Sequence, residues 1–212
     1  IKLIDNNDKE IEVPFEDNLI YQSINRFEKK SGIKINNLKI TENSIIPLAR
    51  GLGSSATAIT ATLYGLNKLY NSPLSKEEML NMAISIEGHS DNVVPAFIGG
   101  YVINVLKGNK LNYKKVRVND NELQIILIIP DFKLKTSDLR AVLPENVDMK
   151  DALFNQSRTA LLTSIFYDRD WEKLSLAMED KLHQDYRAKL IPGMKSVIES
   201  GYESGAFGVA LS

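Results

Sequence analysis

The sequence predicts a globular fold that combines β-hairpins with amphipathic α-helices. Short β-prone runs flank turn-rich clusters at two places, which is typical of hairpins. Between and after them, apolar residues recur at intervals of three and four, which is typical of helices with one buried face. A length of 212 residues, 43% of them hydrophobic and 25% charged, is enough for one domain or for two small ones.

The composition disfavours several classes of function. The chain has 26 basic and 27 acidic side chains, and its net charge of −1 provides no positive field that would recruit nucleic acid or an anionic membrane. Cysteine is absent and there are only two histidines, which removes thiol chemistry and disfavours a multi-histidine metal site. The longest apolar run, Ile125 to Ile129, is far too short to span a membrane. We therefore expect a cytoplasmic protein with no nucleic acid or membrane partner.

The first predicted element is a hairpin. Residues 1–4 and 11–13 are β-prone and lie on either side of a polar turn. Residues 38–40 and 45–46 are interpreted as a further strand, which ends at a turn around Pro47.

Capping residues and the spacing of apolar residues predict two helices. Asp17 or Asn18 can cap the first helix, and Gly32 stands where a helix commonly ends. The apolar spacing over residues 54–70 predicts the second helix, and either of its first two serines can cap its first turn.

The third helix has the most completely specified beginning. Ser75 and Glu78 have the spacing of a capping box, in which each side chain bonds to the backbone of the other residue. Leu74 and Met79 occupy the positions of a hydrophobic staple. We therefore expect this helix to begin directly after Ser75.

A second hairpin and a domain boundary come next. Residues 101–105 and 116–118 are predicted to pair across a glycine-containing turn. The polar stretch 119–122 then separates two parts of the chain, because a new run of strand and helices begins after it. We predict domains over residues 1–121 and 122–212.

The C-terminal part is predicted to be mostly helical between two strands. The strands are expected at residues 123–129 and 205–212, and the helical stretch at residues 148–187 with a break near 168–170. A last helix is expected to begin near Pro192. Because the final strand stops before any turn, we expect the chain to be a fragment of a longer protein.

The segment Pro47-Leu48-Ala49-Arg50-Gly51-Leu52-Gly53-Ser54-Ser55-Ala56-Thr57 has the chemistry of a phosphate-binding turn. It lies between a predicted strand and a predicted helix. Glycines allow the backbone to approach an anion, and the first N–H groups of a helix point outward at the positive end of its dipole. The serine hydroxyls can bind a phosphate oxygen or Mg²⁺.

This turn has three other interpretations. It could simply be a tight connection between strand and helix. A dinucleotide fingerprint at Gly51, Gly53 and Ala56 is disfavoured because Pro47 interrupts the preceding strand. A Walker loop is excluded because no Gly-Lys-Ser/Thr ending is present.

Four segments of the sequence, in order, resemble the GHMP kinases. Pro-Leu-Ala-Arg-Gly-Leu-Gly-Ser-Ser-Ala is similar to the phosphate-binding loop of that family. Residues 87–96, followed by Gly-Gly-Tyr, resemble the next motif in the branch of the family that phosphorylates homoserine. Residues 135–144 and 180–187 are similar to later segments of the same branch. Together these segments cover nearly the whole chain.

The resemblance implies an α+β chain in two parts. Residues 1–121 would form the ATP-binding N-terminal domain, which resembles ribosomal protein S5 and whose first strand and loop would be missing. Residues 122–212 would form a truncated, ferredoxin-like C-terminal domain. The active site would lie between the two domains.

The same resemblance implies a phosphotransferase. The γ-phosphoryl group of ATP would be transferred to the side-chain hydroxyl of L-homoserine, which gives O-phospho-L-homoserine in threonine biosynthesis. ATP and Mg²⁺ would be the cofactors, L-homoserine the small-molecule partner, and a homodimer is a candidate assembly. Two alternatives stay open, namely another acceptor such as mevalonate and a non-catalytic module that binds a nucleotide or an amino acid.

On the nucleotide side, the resemblance implies that Ser55 and Glu87 hold Mg²⁺, which prefers oxygen ligands. The residues expected to wrap the triphosphate are Ile46, Pro47, Leu48, Ala49, Arg50, Gly51, Leu52, Gly53, Ser54, Ser55, Ala56 and Thr57.

On the acceptor side, the resemblance implies that Arg140 and Arg187 bind the amino-acid carboxylate, because a guanidinium group can donate two parallel hydrogen bonds to it. Thr136, His89 and Asn92 would surround the substrate.

The expected catalytic residues are Asn92, Glu87 and Arg187. Other members of the family carry an aspartate, the proposed general base, near the position of Asn92, and an amide cannot accept the proton. The resemblance therefore implies a mechanism without a dedicated protein base, and Asp91 is the alternative base.

Overall fold

The computed structural model describes residues 2–4, 10–11, 17–48, 50–108, 110–119, 121–132, 134 and 136–211. The chain forms two compact units, Ile1–Asn119 and Asp120–Ser212. The expected domain boundary lies two residues further along the chain. The assignment of the two parts to an ATP-binding and a C-terminal domain stays a prediction.

A small three-stranded sheet lies near the beginning of the first unit. Strand β1 (Lys2–Ile4) pairs antiparallel with β2 (Glu10–Ile11) and parallel with β3 (Thr41–Glu42), so the order is β2-β1-β3. The first hairpin is thus confirmed, although its turn and residues 12–13 lie outside the described residues. Leu3 is opposite Ile11 in the antiparallel pair.

The strand expected at residues 38–40 and 45–46 is wrong, since only the two residues of β3 between these segments are paired. Leu38 packs instead against the helical core, and Ile45 is 92% exposed. The β-prone residues correctly indicated a strand in this part of the chain. The strand is short because its partner β1 has only three residues to pair with.

The described part of this unit also contains four helices. They are α1 (Leu19–Ser31), α2 (Ser54–Leu69), α3 (Lys76–Glu87) and α4 (Val93–Ile98). The side chain of Asn18 accepts hydrogen bonds from the amides of Ile20 and Tyr21, and Gly32 ends α1 at a φ of 73°. The predicted beginning and end of α1 are therefore confirmed.

The predicted capping box of α3 is also present. The Ser75 hydroxyl accepts from the Glu78 amide, and the Glu78 carboxylate accepts from the Ser75 amide at 3.0 Å. The carboxylate also pairs with Lys30 of α1 at 3.0 Å. The amide of Ser75 and the amine of Lys30 lower the pKa of Glu78 from its ordinary value of 4.5 to about 2.

The helices of the first unit enclose an apolar core. Phe27 of α1, Ile59 and Leu63 of α2, and Ala83 of α3 are fully buried. Leu74 and Met79 belong to the same cluster, as the staple spacing predicts. The closing hairpin, β4 (Tyr101–Lys107) and β5 (Lys110–Val116), is antiparallel with Tyr101 opposite Val116. A second hairpin is thus present as predicted, but its second strand is Lys110–Val116 rather than residues 116–118.

All the regular elements in the described residues of the second unit are helices. Its helices are α5 (Thr136–Ala141), α6 (Met149–Asp168), a 3₁₀ turn (Trp171–Lys173), α7 (Leu174–Ala177), α8 (Gln184–Ala188) and α9 (Met194–Glu203). The predicted break near residues 168–170 occurs at Arg169, which has a φ of 63°. Ile165, Leu174 and Ala177 form a small buried core.

Both strands expected in this unit are wrong. Residues 123–129 make no strand pairing, and Ile125 and Ile126 are 78% and 79% exposed. Near the end of the chain, the amide of Leu211 bonds to the Gln184 side chain at 2.9 Å rather than to a neighbouring strand. A strand requires a backbone partner, and the described residues of this unit supply none. The ferredoxin-like character expected for it stays a prediction.

No helix in the described residues is both long and apolar enough to cross a membrane.

Candidate active site

The predicted phosphate loop connects β3 to α2. Residues 46–48 and 50–53 are irregular, and Ser54 to Thr57 form the first turn of the helix, whereas Ala49 lies outside the described residues. Gly51 and Gly53 both have a φ of 70°, in the left-handed region that glycine adopts without strain. The two glycines therefore allow the turn that connects this loop to the beginning of α2.

Gly53 is the N-cap of α2, which corrects the expectation that Ser54 or Ser55 caps it. Both serines are inside the helix, and no described side chain caps this end. The first regular helical bond runs from the amide of Thr57 to the carbonyl of Gly53, at 2.9 Å. The amides of residues 54–56 precede it, and with the helix dipole they favour an anion at this position.

The two residues expected to hold Mg²⁺ are in direct contact. The Ser55 hydroxyl donates a hydrogen bond to the Glu87 carboxylate. Ala56 of α2 and Ala83 of α3 are both fully buried in the same helical core. Ser55 adjoins Ala56, and Glu87 lies one turn beyond Ala83. Core packing therefore directs the hydroxyl and the carboxylate towards each other.

This pair fits the chemistry of Mg²⁺. The ion takes oxygen ligands and is commonly held by one or two protein groups together with substrate phosphates and water. The described residues contain no cluster of three or more His, Cys, Asp or Glu side chains that could hold a metal alone. A hydroxyl and one carboxylate beside a phosphate-binding helix end suit an ion that shares its ligands with a nucleotide.

The loop between α3 and α4 lies beside the phosphate turn. The Oδ1 atom of Asn92 is 4.0 Å from the position that a Cβ atom on Gly53 would take. Val93 and Val94, fully buried, fix the beginning of α4 directly after Asn92. The structure therefore brings Asn92 and the phosphate turn together.

His89 and Asp91 form a pair within the same loop. The distance between His89 Nδ1 and Asp91 Oδ1 is 2.5 Å, and the two side chains are 35% and 75% exposed. The carboxylate fixes the orientation of the imidazole ring. Asp91 is thus engaged with a neighbouring side chain in this structure.

Three of the five expected acceptor-binding residues, Thr136, Arg140 and Arg187, belong to the second unit. Arg187, in α8, is half-buried, and its Nε atom donates a long hydrogen bond of 3.4 Å to the carbonyl of Leu139 in α5. Helix α5 carries Thr136 and Arg140, whose side chains lie outside the described part of the structure. The structure therefore brings Arg187 to the segment that carries two other expected acceptor residues.

Asp180 is a residue of this region for which sequence reasoning predicted no role. Its side chain is 6% exposed and accepts hydrogen bonds from three consecutive backbone amides and from Asn155. Burial alone would raise the pKa of Asp180, but the bonds from the Gln184 and His183 amides and from Asn155 outweigh it and lower the pKa. An aspartate shortly before a short helix is a weak capping signal that could have indicated it.

The geometry thus assembles two groups of expected site residues. The phosphate turn with Glu87 and Asn92 forms the first, and Arg187 with the segment of α5 forms the second. His89 belongs to the same loop as Asn92 and contacts Asp91 there. The two groups belong to different compact units.

Comparison with known proteins identifies relatives over nearly the whole chain. The family model described as GHMP kinases N terminal domain matches residues 18–100. A homoserine kinase of Halothermothrix orenii is 54% identical over 202 residues, which are 95% of this chain and 65% of that protein. A homoserine kinase of Clostridium beijerinckii is 44% identical over 93% of this chain and 66% of that protein. The chain thus spans just under two thirds of the length of these relatives.

Solved structures have the same fold. The crystal structure of homoserine kinase from Cytophaga hutchinsonii superposes with a TM-score of 0.84 and 27% identity, over 97% of this chain and 66% of that one. A putative homoserine kinase from Listeria monocytogenes gives a TM-score of 0.64 at 24% identity, over 99% of this chain and 68% of that one. The second likeness bears on the fold alone. The α+β architecture expected from the sequence is therefore confirmed.

Proposed function

We propose that the chain is a GHMP kinase and that it transfers the γ-phosphoryl group of ATP to the side-chain hydroxyl of L-homoserine. The product would be O-phospho-L-homoserine, a step of threonine biosynthesis. The observation that carries the proposal is the contact of Ser55 with Glu87 beside the positive-φ glycine turn. The relatives named homoserine kinase support the choice of acceptor.

On the nucleotide side, the first turn of α2 binds the triphosphate. The amides of residues 54–56 donate to phosphate oxygens, and the glycines at 51 and 53 leave room for the backbone to approach them. Ser55 and Glu87 hold Mg²⁺, which neutralises phosphate charge when it is bound. Phosphoryl transfer depends mainly on such positioning and charge neutralisation.

On the acceptor side, Arg187 and Arg140 bind the carboxylate of homoserine. Nε of Arg187 is engaged by the Leu139 carbonyl, and within the described chain no partner holds its two Nη nitrogens. These nitrogens can donate to one carboxylate. The family resemblance assigns Thr136, His89 and Asn92 to substrate binding as well. An acceptor without a carboxylate, such as a hexose, would leave the two guanidinium groups unpaired, which favours an acceptor that carries a carboxylate.

The acceptor hydroxyl loses its proton without a dedicated protein base. The amide of Asn92 cannot accept a proton, and Asp91 is already engaged with His89. As the bond from the hydroxyl oxygen to the γ-phosphorus forms and the bond to ADP breaks, the hydroxyl proton passes to an oxygen of the transferred phosphoryl group. Catalysis then rests on alignment and on charge stabilisation by the phosphate loop, Mg²⁺ and the arginines.

A panel of hydroxyl acceptors tests the proposal on the full-length protein. ATP consumption is measured with L-homoserine, mevalonate and a hexose, beside calorimetric binding of a non-hydrolysable ATP analogue. We expect analogue binding and phosphorylation of homoserine far above the other acceptors. Phosphorylation of mevalonate or the hexose instead would contradict the choice of acceptor. Analogue binding without transfer to any of them would identify a non-catalytic module.

A further inference from the structure

The second unit contains a buried carboxylate that organises the segment carrying Arg187. We propose that Asp180, locked in place by Asn155, is a positioning residue that fixes Arg187 for the carboxylate of the acceptor. The inference rests on the proposed function, in which Arg187 binds that carboxylate. It assigns a specific task to two residues outside the proposed binding residues.

The backbone between Asp180 and α8 is held by the carboxylate. Oδ2 of Asp180 accepts hydrogen bonds from the amides of Leu182 at 3.1 Å, His183 at 2.7 Å and Gln184 at 2.7 Å. One carboxylate oxygen thus gathers three consecutive N–H groups. Gln184 is the first residue of α8, so these bonds fix where and in which direction that helix begins.

Asp180 is itself anchored to a long helix. Nδ2 of Asn155, on the 20-residue helix α6, donates to Oδ1 of Asp180 at 2.7 Å. Oδ1 of the same asparagine accepts from the amide of Lys181 at 2.9 Å. Asn155 therefore uses both ends of its side-chain amide on this segment. The segment is attached to the helix that contributes Ile165 to the core of the unit.

Helix α8 connects this anchor to Arg187. The helix has only five residues, too few to be stable without outside support. The amide of Arg187 bonds to the carbonyl of His183, one turn earlier, at 3.0 Å. The chain of hydrogen bonds thus runs from α6 through Asp180 to the backbone of Arg187. An arginine whose backbone is already fixed loses less conformational entropy when its guanidinium group binds a ligand.

The protonation state of Asp180 suits this task. Both of its oxygens accept hydrogen bonds, which only the ionised carboxylate can do without losing a partner. Burial raises its pKa, but the amide and Asn155 donors lower it by more, so the group is ionised at neutral pH. The His183 Nε2 atom lies 3.5 Å from Oδ1 and adds a positive charge only when it is protonated.

The geometry provides a rescue experiment. In Asp180→Asn, one carboxylate oxygen becomes an NH₂ group, which faces either the three backbone amides or the NH₂ group of Asn155. The double exchange Asn155→Asp with Asp180→Asn swaps the two side chains and restores every donor and acceptor. The NH₂ group at position 180 would then donate to the carboxylate at position 155, and its carbonyl oxygen would accept the three backbone amides. The carboxylate at position 155 would also accept the Lys181 amide.

Steady-state constants for homoserine and ATP are measured with these variants of the full-length protein, beside thermal unfolding. Asn155→Ala serves as a second single variant that leaves Asp180 itself unchanged. Asp180→Asn and Asn155→Ala are each expected to raise KM for homoserine by about tenfold or more while KM for ATP stays unchanged. The double exchange is expected to recover most of the loss. Asp185→Asn, an exposed carboxylate of α8, is the matched control and is expected to be silent.

The outcomes separate this inference from the proposed function. If Arg187→Lys raises KM for homoserine but neither Asp180→Asn nor Asn155→Ala does, the positioning role is wrong and the acceptor site stands. If the Asp180 and Asn155 variants lower stability and raise both KM values equally, or if the double exchange gives no recovery, the residues are only structural and the inference is overturned. A silent Arg187→Lys would contradict the acceptor site itself and the inference with it.

Discussion

The Ser55 hydroxyl donates to the Glu87 carboxylate across 32 residues of sequence. One residue belongs to the first turn of α2 and the other to the last turn of α3, so packing of the two helices creates the contact. The positive end of the α2 dipole points at the same place. The positive end of the helix can stabilise the negative charge of Glu87. The carboxylate is also in position to hold a cation that accompanies bound phosphates.

Glu87→Gln is therefore expected to reduce kcat by roughly 100-fold, because an amide is a weaker ligand for Mg²⁺ than a carboxylate. Turnover is measured across Mg²⁺ concentrations, with thermal unfolding as a check of folding. Glu77→Gln, an exposed carboxylate of the same helix, is the control and should leave kcat unchanged. Near-normal turnover of Glu87→Gln at every Mg²⁺ concentration would show that Glu87 is only a carboxylate at a helix end.

Gly53→Ala is expected to weaken binding of an ATP analogue by about tenfold. Alanine at a φ of 70° costs about 1–2 kcal/mol, and relief of that strain would turn the first amides of α2 away from the phosphates. Gly32→Ala is a matched control, because Gly32 has a φ of 73° at the end of α1 and open space around it. Calorimetry should show that the two variants lose stability equally. Only the Gly53 variant should also bind the nucleotide more weakly.

The same predicted turn can be tested by crystallography. We expect the phosphates of a bound ATP analogue to lie against the amides of residues 53–56. Phosphates bound at another place in the structure would contradict the assignment of this turn.

Glu78 is expected to make stability depend on pH in the acidic range. Its pKa is lowered to about 2 in the folded protein from an ordinary value of 4.5, so its contribution is present above pH 4.5 and is lost as the pH falls towards 2. Chemical unfolding of the wild type and of Glu78→Gln should differ at pH 7 and converge in acid. Glu77→Gln, one residue away, should differ little from the wild type. Parallel curves for wild type and Glu78→Gln throughout would refute the prediction.

Local features of this fold could be predicted from the sequence. The caps at Asn18 and Ser75 depend only on residues within one helical turn, and both occur as predicted. The strand predicted at residues 123–129 failed because strand formation depends on a partner elsewhere in the chain. Gly53 rather than a serine caps α2, because the positive φ of the preceding turn places both serines inside the helix.

The same distinction between local features and long-range contacts applies to the candidate site. The glycine turn indicates an anion from local chemistry alone, but the partnership of Ser55 with Glu87 came from family resemblance, since no local pattern connects them. Asp180 was missed because its local bonds to three backbone amides are only a weak capping signal, and its side-chain partner Asn155 is 25 residues away. Contacts of this kind are set by how helices pack, which spacing along the chain does not reveal.

Asp91 tests the proposed absence of a protein base. The dependence of kcat on pH is expected to have the same shape in the wild type and in Asp91→Asn, because the proton passes to the phosphoryl group. The variant is expected to alter KM for homoserine modestly, since the carboxylate orients His89. An essential ionisation that is present in the wild type and vanishes in Asp91→Asn would make Asp91 the base.

Arg187→Lys is expected to raise KM for homoserine by about 10- to 100-fold although the charge is kept. An ammonium group on a flexible stem cannot present two parallel donors to one carboxylate, and it cannot keep the bond that Nε makes to Leu139. KM for ATP should not change, and Asp185→Asn in the same helix should be silent. Equal losses in both variants would indicate that α8 is destabilised as a whole. An unchanged KM in Arg187→Lys would remove the main structural reason for choosing an acceptor that carries a carboxylate.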